Sequence, residues 1–423
     1  MGMQRLEIFF GDTSGARFSW GKSVQSTRFN GRSVLVDVFE RDVHCLLGLP
    51  FDAMDMAGTV SRIRDAAVRR EPCFFSTPNL NFVVTSLSDE AFRDSIIGSD
   101  LSIADGMPIV WIARLLGVPI TERVAGSGVF ERLRSENRGP ISVYFFGGPE
   151  GVAEAACNKL NSSTSGLVCV GYECPGFGSA EEMSSEETIA RINASGADFI
   201  AVSLGARKGQ AWIARNRSRL SAPVIGHLGA VLNFVAGTIR RAPTWVQRWG
   251  FEWLWRIKEE RRLWSRYLVD GVVFLRLLVL RVIPHLWLIR QHVTAPSDLV
   301  VGNVERYDSD AGISISIRGA WASRNLKPLR ECFSRASRDG KDIRLEMRHV
   351  TFVDSAFVGL LMLLYVELKR RGRRFSIGTI EENVRRVFHY SCAEFLLGTD
   401  IELGGDAHIP DDSLKWVGIP LRN

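Results

Sequence analysis

The sequence predicts an α/β protein: a mainly parallel sheet with helices on both faces, then a basic helical segment, then a second and smaller α/β module. Three observations carry this. Short apolar runs alternate with helix-like segments over residues 43–236, the order that builds a parallel sheet through crossover helices. Tryptophan and arginine concentrate in residues 237–293. Period-two alternation then returns in Gly312-Ile313-Ser314-Ile315-Ser316-Ile317-Arg318 and opens a new strand–helix series.

In the first region, residues 73–76 form a strand candidate and 81–97 a helix. A short strand at 101–104 precedes a helix at 108–116. The buried run 141–146 ends in Gly147-Gly148 before a helix at 152–160. Strands at 199–204 and 223–227 complete the sheet, the first preceded by a helix at 188–194. Ligands of such sheets bind beyond the carboxyl ends of the strands. Thr77, Asn79, Asp105, Gly147 and Gly205 all fall there.

Residues 1–42 read as a polar extension. In the segment 237–293, Trp245, Trp249 and Trp253 repeat at a spacing that puts them on one helical face. Aromatic anchors with many arginines are the composition of an element lying in a membrane interface; a helical hairpin with solvated arginines is the alternative. The apolar run 267–292 is interrupted by Asp270, Arg276, Arg281 and Arg290, whereas a spanning helix takes about 20 mostly apolar residues. No transmembrane helix is expected. Residues 294–311 read as a linker, 312–400 as the second module and 401–423 as a tail.

Composition excludes several classes. With 423 residues, 46% apolar and 24% charged, the chain is globular and not disordered. Its net charge of +6 is mild, and a basic aromatic segment without a recognisable module does not predict a nucleic-acid partner. Met1 to Trp20 holds no apolar core of secretory-signal length. The 7 scattered cysteines lack any CxxC pair and read as reduced buried thiols.

The candidate chemistry centres on Asp105. Its carboxylate follows a short buried strand, where a general base is reachable yet partly desolvated; capping the next helix is the competing role. Thr77 and Asn79 flank Pro78 and either hold ligand hydroxyls or cap a helix. Arg123 offers paired donors to a diphosphate leaving group, or a salt bridge with Glu122 or Asp100. Gly147 and Gly148 would let backbone amides approach an anion, although a tight turn requires the same glycines. His227 ends a strand and reads as a core histidine. Asp308-Ser309-Asp310 has the spacing of a metal-holding acidic pair but lies in the expected linker, and neither a metal nor a cofactor is expected.

These blocks, in order, resemble the WecG/TagA/CpsF glycosyltransferase family over roughly the first 268 residues. The resemblance rests on Leu47-Gly48-Leu49-Pro50-Phe51-Asp52, Thr77-Pro78-Asn79, Ala104-Asp105-Gly106 and Glu122-Arg123-Val124-Ala125-Gly126. It continues through Leu204 to Trp212, Gly229 to Gly237, Arg241-Ala242-Pro243-Thr244-Trp245 and Gly250 to Arg256. It implies a Rossmann-like domain and metal-independent, inverting transfer from a UDP-sugar, with UDP-N-acetylmannosamine the leading candidate. The implied acceptor is a polyprenyl-diphosphate-linked sugar, in bacterial surface or exopolysaccharide biosynthesis at the inner face of the cell membrane.

By position, the resemblance makes Asp105 the base. Thr77, Asn79, Arg123, Gly147, Gly148, Gly205, Gln210 and Asn233 become pocket residues. Arg256, Arg261, Arg262 and Arg266, in a membrane-proximal appendage, would meet the phosphates of lipid or UDP. The family pattern departs at Arg207, Gly209, Gln210 and Asn233. The altered block Arg207-Lys208-Gly209-Gln210 motivates an alternative reading, a UDP-sugar-binding scaffold held in a biosynthetic complex.

Residues 312–397 resemble a STAS domain on Val353-Asp354-Ser355-Ala356-Phe357-Val358-Gly359-Leu360. The resemblance implies a protein partner and makes Ser355, at a helix N-terminus, a candidate phosphorylation site. A simple cap is the alternative role for Ser355.

Overall fold

The computed structural model describes residues 37–162, 165–243, 246, 249–292, 302–310 and 312–398, with only the backbone of Arg262 and His292. An antiparallel hairpin of β1 (Val43–Leu46) and β2 (Leu49–Asp52) leads into α1 (Met56–Arg69). There follow β3 (Cys73–Ser76), α2 (Leu80–Ser86), α3 (Glu90–Ile97), β4 (Leu101–Ser102), α4 (Met107–Leu115) and α5 (Gly126–Ser135). Next come β5 (Ile141–Gly147), α6 (Val152–Asn161), β6 (Leu167–Glu173), α7 (Glu186–Ala194) and β7 (Phe199–Ser203). The domain closes with α8 (Ala206–Asn216), β8 (Val224–His227) and α9 (Val231–Ala236).

Six strands pair in parallel in the order β4-β3-β8-β7-β5-β6. The four strands β3, β5, β7 and β8 are almost wholly buried, as strands covered by helices on both faces must be. The helix expected over 81–97 is two helices, because Asp89 stops the first and caps the second by accepting from the Phe92 N–H at 3.0 Å. The edge strand β6 was not expected from the sequence. Its outward residues Val168, Val170 and Tyr172 are apolar and exposed, so its pattern did not alternate visibly.

The appendage begins with α10 (Glu252–Glu259) and continues as a rod of α11 (Trp264–Leu277), a π-helical turn (Leu278–Val282) and α12 (Ile283–His292). The expected single face through Trp245, Trp249 and Trp253 does not form. Trp249 lies in a turn with Gly250 at φ +77°, ahead of α10, and Trp245 lies outside the described residues. The interruption expected from Asp270, Arg276 and Arg281 also does not occur. Residues Trp264–Gln291 make one 28-residue helix that is long and apolar enough to cross a membrane on length and composition alone. The charges are tolerated because Asp270 is buried against Asn81 of α2, at 3.2 and 3.3 Å, and Arg281 is bonded to the second domain.

The second domain contains β9 (Asn303–Asp308), β10 (Ile313–Trp321), α13 (Lys327–Arg338), β11 (Ile343–Val353), α14 (Ser355–Arg370), β12 (Phe375–Ile380) and α15 (Glu382–Tyr390). Its sheet runs β12-β11-β10-β9, parallel except for β9. Part of the stretch read as linker is therefore the edge strand β9, and Asp308 is its last residue, ion-paired to Arg306 at 2.7 Å. That pairing gives Asp308 a role unrelated to a metal.

The two domains share a core. Phe39, Val43, Cys45, Ile97 and Leu288 are buried in the apolar cluster of the second domain. Residues 37–42, read as part of the extension, thus cover α13: Phe39 meets Phe333 edge-on, and Arg330 donates to the Phe39 and Arg41 carbonyls. A Cβ on Gly359 of α14 would strike the Val43 carbonyl, so only glycine permits this approach of helix to hairpin. Lys369 of α14 bonds Asp94 of α3 at 2.5 Å, and Arg370 bonds the Gly98 carbonyl.

One further expectation is corrected. Cys157 of α6 and Cys169 of β6 form a disulfide, because α6 folds back on β6 and brings their Cα atoms to 5.3 Å. Cys45 and Cys73 are buried free thiols.

Candidate active site

Three sequence blocks converge through backbone hydrogen bonds at the carboxyl ends of β3 and β4. Ile103 N–H donates to the Ser76 carbonyl (3.0 Å), Asp105 N–H to Pro78 (3.0 Å) and Val124 N–H to Ala104 (2.9 Å). Asp105 does not cap α4: the N-cap is Gly106, which makes no side-chain cap. The Asp105 carboxylate instead accepts from Gly126 N–H, the first residue of α5, at 3.4 Å. A Cβ on Gly126 would sit 2.6 Å from Leu228 and 3.0 Å from Thr77, so glycine is what lets this helix terminus approach.

Burial pushes the Asp105 carboxyl above the usual carboxylate range, Arg123 and the Gly126 amide oppose the shift, and Glu252 reinforces it. A half-buried carboxylate with a raised pKa has the character of a general base. Arg256 of α10 also acts electrostatically on Asp105, and its buried Nε has no hydrogen-bond partner among the described residues. Arg241 Nε is in the same condition, and its guanidinium lies near Gly128 of α5. Arg123 pairs with neither Glu122 nor Asp100. Glu122 accepts from Met56 N–H at the start of α1, and Asp100 pairs with Arg217 at 3.2 Å. The partner of Arg123 is Glu252 of the appendage, with only 13% and 20% of the two side chains exposed.

Thr77 is buried, with Oγ1 3.5 Å from the His227 carbonyl. Asn79 caps α2 by accepting from Phe82 N–H at 3.3 Å. The other expected residues divide. Gly147 and Gly148 have φ of +108° and +83°, and Gly148 N–H donates to the Ser203 carbonyl at 3.0 Å. That amide is committed to the fold, and both glycines form the turn after β5. Gly205 caps α8 and is exposed. Asn233 accepts from Thr238 Oγ1 at 3.1 Å and holds the turn after α9.

Gln210 is corrected from a ligand contact to a core residue. It is 0% exposed, its amide donates to Ser76 Oγ at 2.9 Å, and its oxygen accepts from Ser95 Oγ at 3.3 Å. Within the altered block, Gly209 and Gln210 therefore pack inside the protein. Arg207 pairs with Asp89 at 3.3 Å on the surface, and a side chain on Gly209 would collide with the His227 ring. His227 is a core residue as expected: burial lowers its pKa to about 4, and Nε2 donates to the Leu204 carbonyl at 3.0 Å.

Of the four appendage arginines, Arg256 acts on Asp105, Arg261 and Arg266 are exposed, and the Arg262 side chain lies outside the described residues. Ser355 begins α14 but is not its cap. Asp354 caps by accepting from Phe357 N–H at 2.9 Å, and Ser355 Oγ lies 3.0 Å from His44 Nδ1 in the hairpin. Sequence reasoning missed Glu252, Arg241 and His44. Glu252 and Arg241 lie inside blocks that carry the family resemblance, but nothing local says what they face.

Residues 44–286 match the model of the glycosyl transferase WecG/TagA/CpsF family, and residues 306–397 match that of the Mlab STAS domain. The N-acetylglucosaminyldiphosphoundecaprenol N-acetyl-beta-D-mannosaminyltransferase of Bacillus subtilis is 26% identical over 194 residues, 46% of this chain and 74% of that protein. Proteins of the same name from Bacillus spizizenii and Staphylococcus aureus are 22% identical over 222 residues and 24% over 214. These cover 52% and 50% of this chain, and 84% and 82% of the relatives. With more than half its length matched by one family model, the chain belongs to the WecG/TagA/CpsF family of glycosyltransferases and carries a C-terminal STAS domain.

Proposed function

We propose that this glycosyltransferase moves a sugar from a UDP-sugar to a sugar carried on a polyprenyl diphosphate, with inversion and without a metal. The observation that carries the reading is Asp105: a half-buried carboxyl of raised pKa at a strand end, beside the α5 N-terminus and facing Arg123 and Arg256. Asp105 takes the proton from the acceptor hydroxyl, and the hydroxyl oxygen attacks the anomeric carbon as the bond to the UDP oxygen breaks. Arg123, Arg256 and Arg241 supply the positive field that the departing diphosphate needs. The relatives, named for N-acetylmannosaminyl transfer to N-acetylglucosaminyl-diphosphoundecaprenol, make UDP-N-acetylmannosamine the first donor to test.

The enzyme works at the cytoplasmic face of the membrane, held there by residues 238–292. Support comes from the rod. Trp264, Leu268, Val272, Leu275, Val279, Ile283 and Trp287 are each at least 50% exposed and form one apolar stripe. From Trp264 to Trp287 the stripe takes 23 residues in six turns, about 3.8 per turn, against 3.6 for an α-helix. The π-turn at Leu278–Val282 supplies the excess and keeps the stripe on one side. The opposite side is docked to both domains through Asp270, Arg281 and Leu288, so the rod lies flat on the bilayer rather than crossing it.

The scaffold alternative loses its motive, since Gly209 and Gln210 are packed in the core and Arg207 sits on the surface. The test is a panel of UDP-sugars with short-chain prenyl-diphosphate-linked acceptors, following UDP release and lipid-linked product. Transfer from one donor is expected. UDP binding without transfer from any donor would return the reading to a scaffold.

A further inference from the structure

A cleft of about 260 Å³ lies where the rod, the sheet domain and the STAS domain meet. Its walls are the end of α2 (Ser86, Leu87), the hairpin turn (Leu47, Gly48), the rod from Val273 to Arg281, and Cys392 to Phe395 of the STAS domain. Three guanidinium groups line it, from Arg93, Arg276 and Arg281, against the single carboxylate of Glu394. Arg281 is held in place by the His389 carbonyl at 2.6 Å and by Glu394 at 2.9 Å. Arg93 lies 3.9 Å above the Phe395 ring, and its Nε is 3.8 Å from Asp94 Oδ1. The remaining wall is apolar, from Leu47, Leu87, Val273, Leu277 and Leu280. Leu280, half exposed, joins the cleft to the bilayer-facing side of the rod.

We propose that this cleft binds the phosphate headgroup of an anionic phospholipid, with the acyl chains leaving past Leu280 into the membrane. A net-positive, partly enclosed cavity recognises a phosphodiester through charge-assisted bonds, and its apolar wall accepts the adjoining glycerol and first methylenes. The cleft is separate from the Asp105 site: the seven-residue α2, about 10 Å long, starts at Asn79 beside Asp105 and ends at Ser86 in the cleft wall. A lipid seated there would touch both domains and the rod at once, so binding would brace the joint between STAS domain and enzyme. The inference rests on the membrane reading of the rod.

The test uses the full chain, sedimented with vesicles of neutral phosphatidylcholine alone and with a third of phosphatidylglycerol. The expected result is partition onto neutral vesicles through the stripe, plus a saturable increment of tenfold or more with anionic lipid. Arg276→Gln should remove most of that increment, and Arg276→Lys should restore part of it. Arg290→Gln removes the same charge from a position on the same rod outside the cleft and should lose less than Arg276→Gln, about fivefold at most, the share expected of one surface charge near a membrane. Inorganic phosphate at millimolar concentration should not compete.

Four results would overturn the proposal. Equal losses in the Arg276 and Arg290 variants would reduce the effect to general surface charge. Competition by inorganic phosphate would make the ligand a free anion. Neutral binding without any anionic increment would remove the cleft but leave the membrane reading intact. No binding to either vesicle would remove both. The melting temperature of each variant identifies loss of fold, and Arg276→Lys keeps the test decisive if the glutamine variant unfolds.

Discussion

Asp105→Asn tests the catalytic reading with a nearly isosteric change. The amide oxygen can still accept from Gly126 N–H, now 3.4 Å from the carboxylate, and the Asp105 N–H to Pro78 bond is untouched. The variant loses the capacity to take a proton, together with the negative charge on which Arg123 and Arg256 act. General-base catalysis contributes about 10²–10⁴-fold, so turnover should fall by that factor, equivalent to about 2.7–5.4 kcal/mol in the barrier. Stability should move the other way. Burial raises the Asp105 pKa, so the folded state is penalised as pH rises through that pKa, and a neutral amide avoids the penalty. At pH 7 the variant should therefore melt no lower than the wild type, and any advantage should shrink as pH falls through the raised Asp105 pKa and vanish below the ordinary carboxylate range. Single-turnover kinetics with saturating donor and acceptor, alongside calorimetry, would check both halves. Turnover within tenfold of wild type would refute Asp105 as the base. A large drop in melting temperature would mean that the carboxylate is structural.

Other outcomes follow from named contacts. Glu252→Gln removes a negative charge that raises the Asp105 pKa and frees Arg123, which lowers it. The acid limb of the pH–rate profile should move to lower pH, and an unmoved limb would show that the appendage does not tune the base. Lys369→Met leaves Asp94, whose side chain is 7% exposed, with only the longer contacts to Arg93 and the Tyr365 hydroxyl, and should cost about 1–3 kcal/mol by denaturant unfolding at pH 7. Burial already raises Asp94 while Lys369 opposes it, so losing Lys369 raises it further. Protonation then relieves the variant, and the deficit should be smaller at pH 5 than at pH 7. Gly359→Ala forces a methyl against the Val43 carbonyl and should cost about 1–3 kcal/mol. Faster hydrogen exchange in β1 and β2 would identify the hairpin as the part displaced.

The STAS domain is joined more closely than a linker-tethered module would be. Phe39, Ile97 and Leu288, from three separate stretches outside it, lie in its core, and the hairpin covers Ser355 through His44. A phosphate on Ser355 would have to displace His44 and stand next to the half-buried Asp354 carboxyl, so modification there and hairpin docking oppose each other. The surface of the STAS domain around Ser355 is in part occupied by the chain's own hairpin.

Local periodicity and adjacency made much of the fold legible. The buried runs at 73–76, 141–146 and 199–204 mark strands because three or four successive apolar residues between helix-like segments have few other solutions. Thr77, Asn79 and Asp105 were placed at strand ends because a residue just after such a run has no other place to go. The sequence also carried the family resemblance, since ordered blocks survive where a pocket needs them. Misreadings arose where an answer depended on partners distant in the chain. Asp270 and Arg281 looked like interruptions of an apolar helix, yet Asn81 and His389 satisfy them. Gln210 looked like a pocket residue, yet Ser76 and Ser95 close over it. Asp308 looked like a linker acid, yet it closes an edge strand.

The sequence by itself determined the parallel sheet, the motifs at its carboxyl edge and the presence of a second α/β module, because these follow from contacts within a few tens of residues. Only the tertiary structure decided that Glu252 reaches Arg123, that the STAS domain shares its core with residues 37–46, and that the rod keeps one apolar side uncovered. Each of those depends on which surfaces meet after the chain has folded back on itself, and neither period nor composition records the choice of partner.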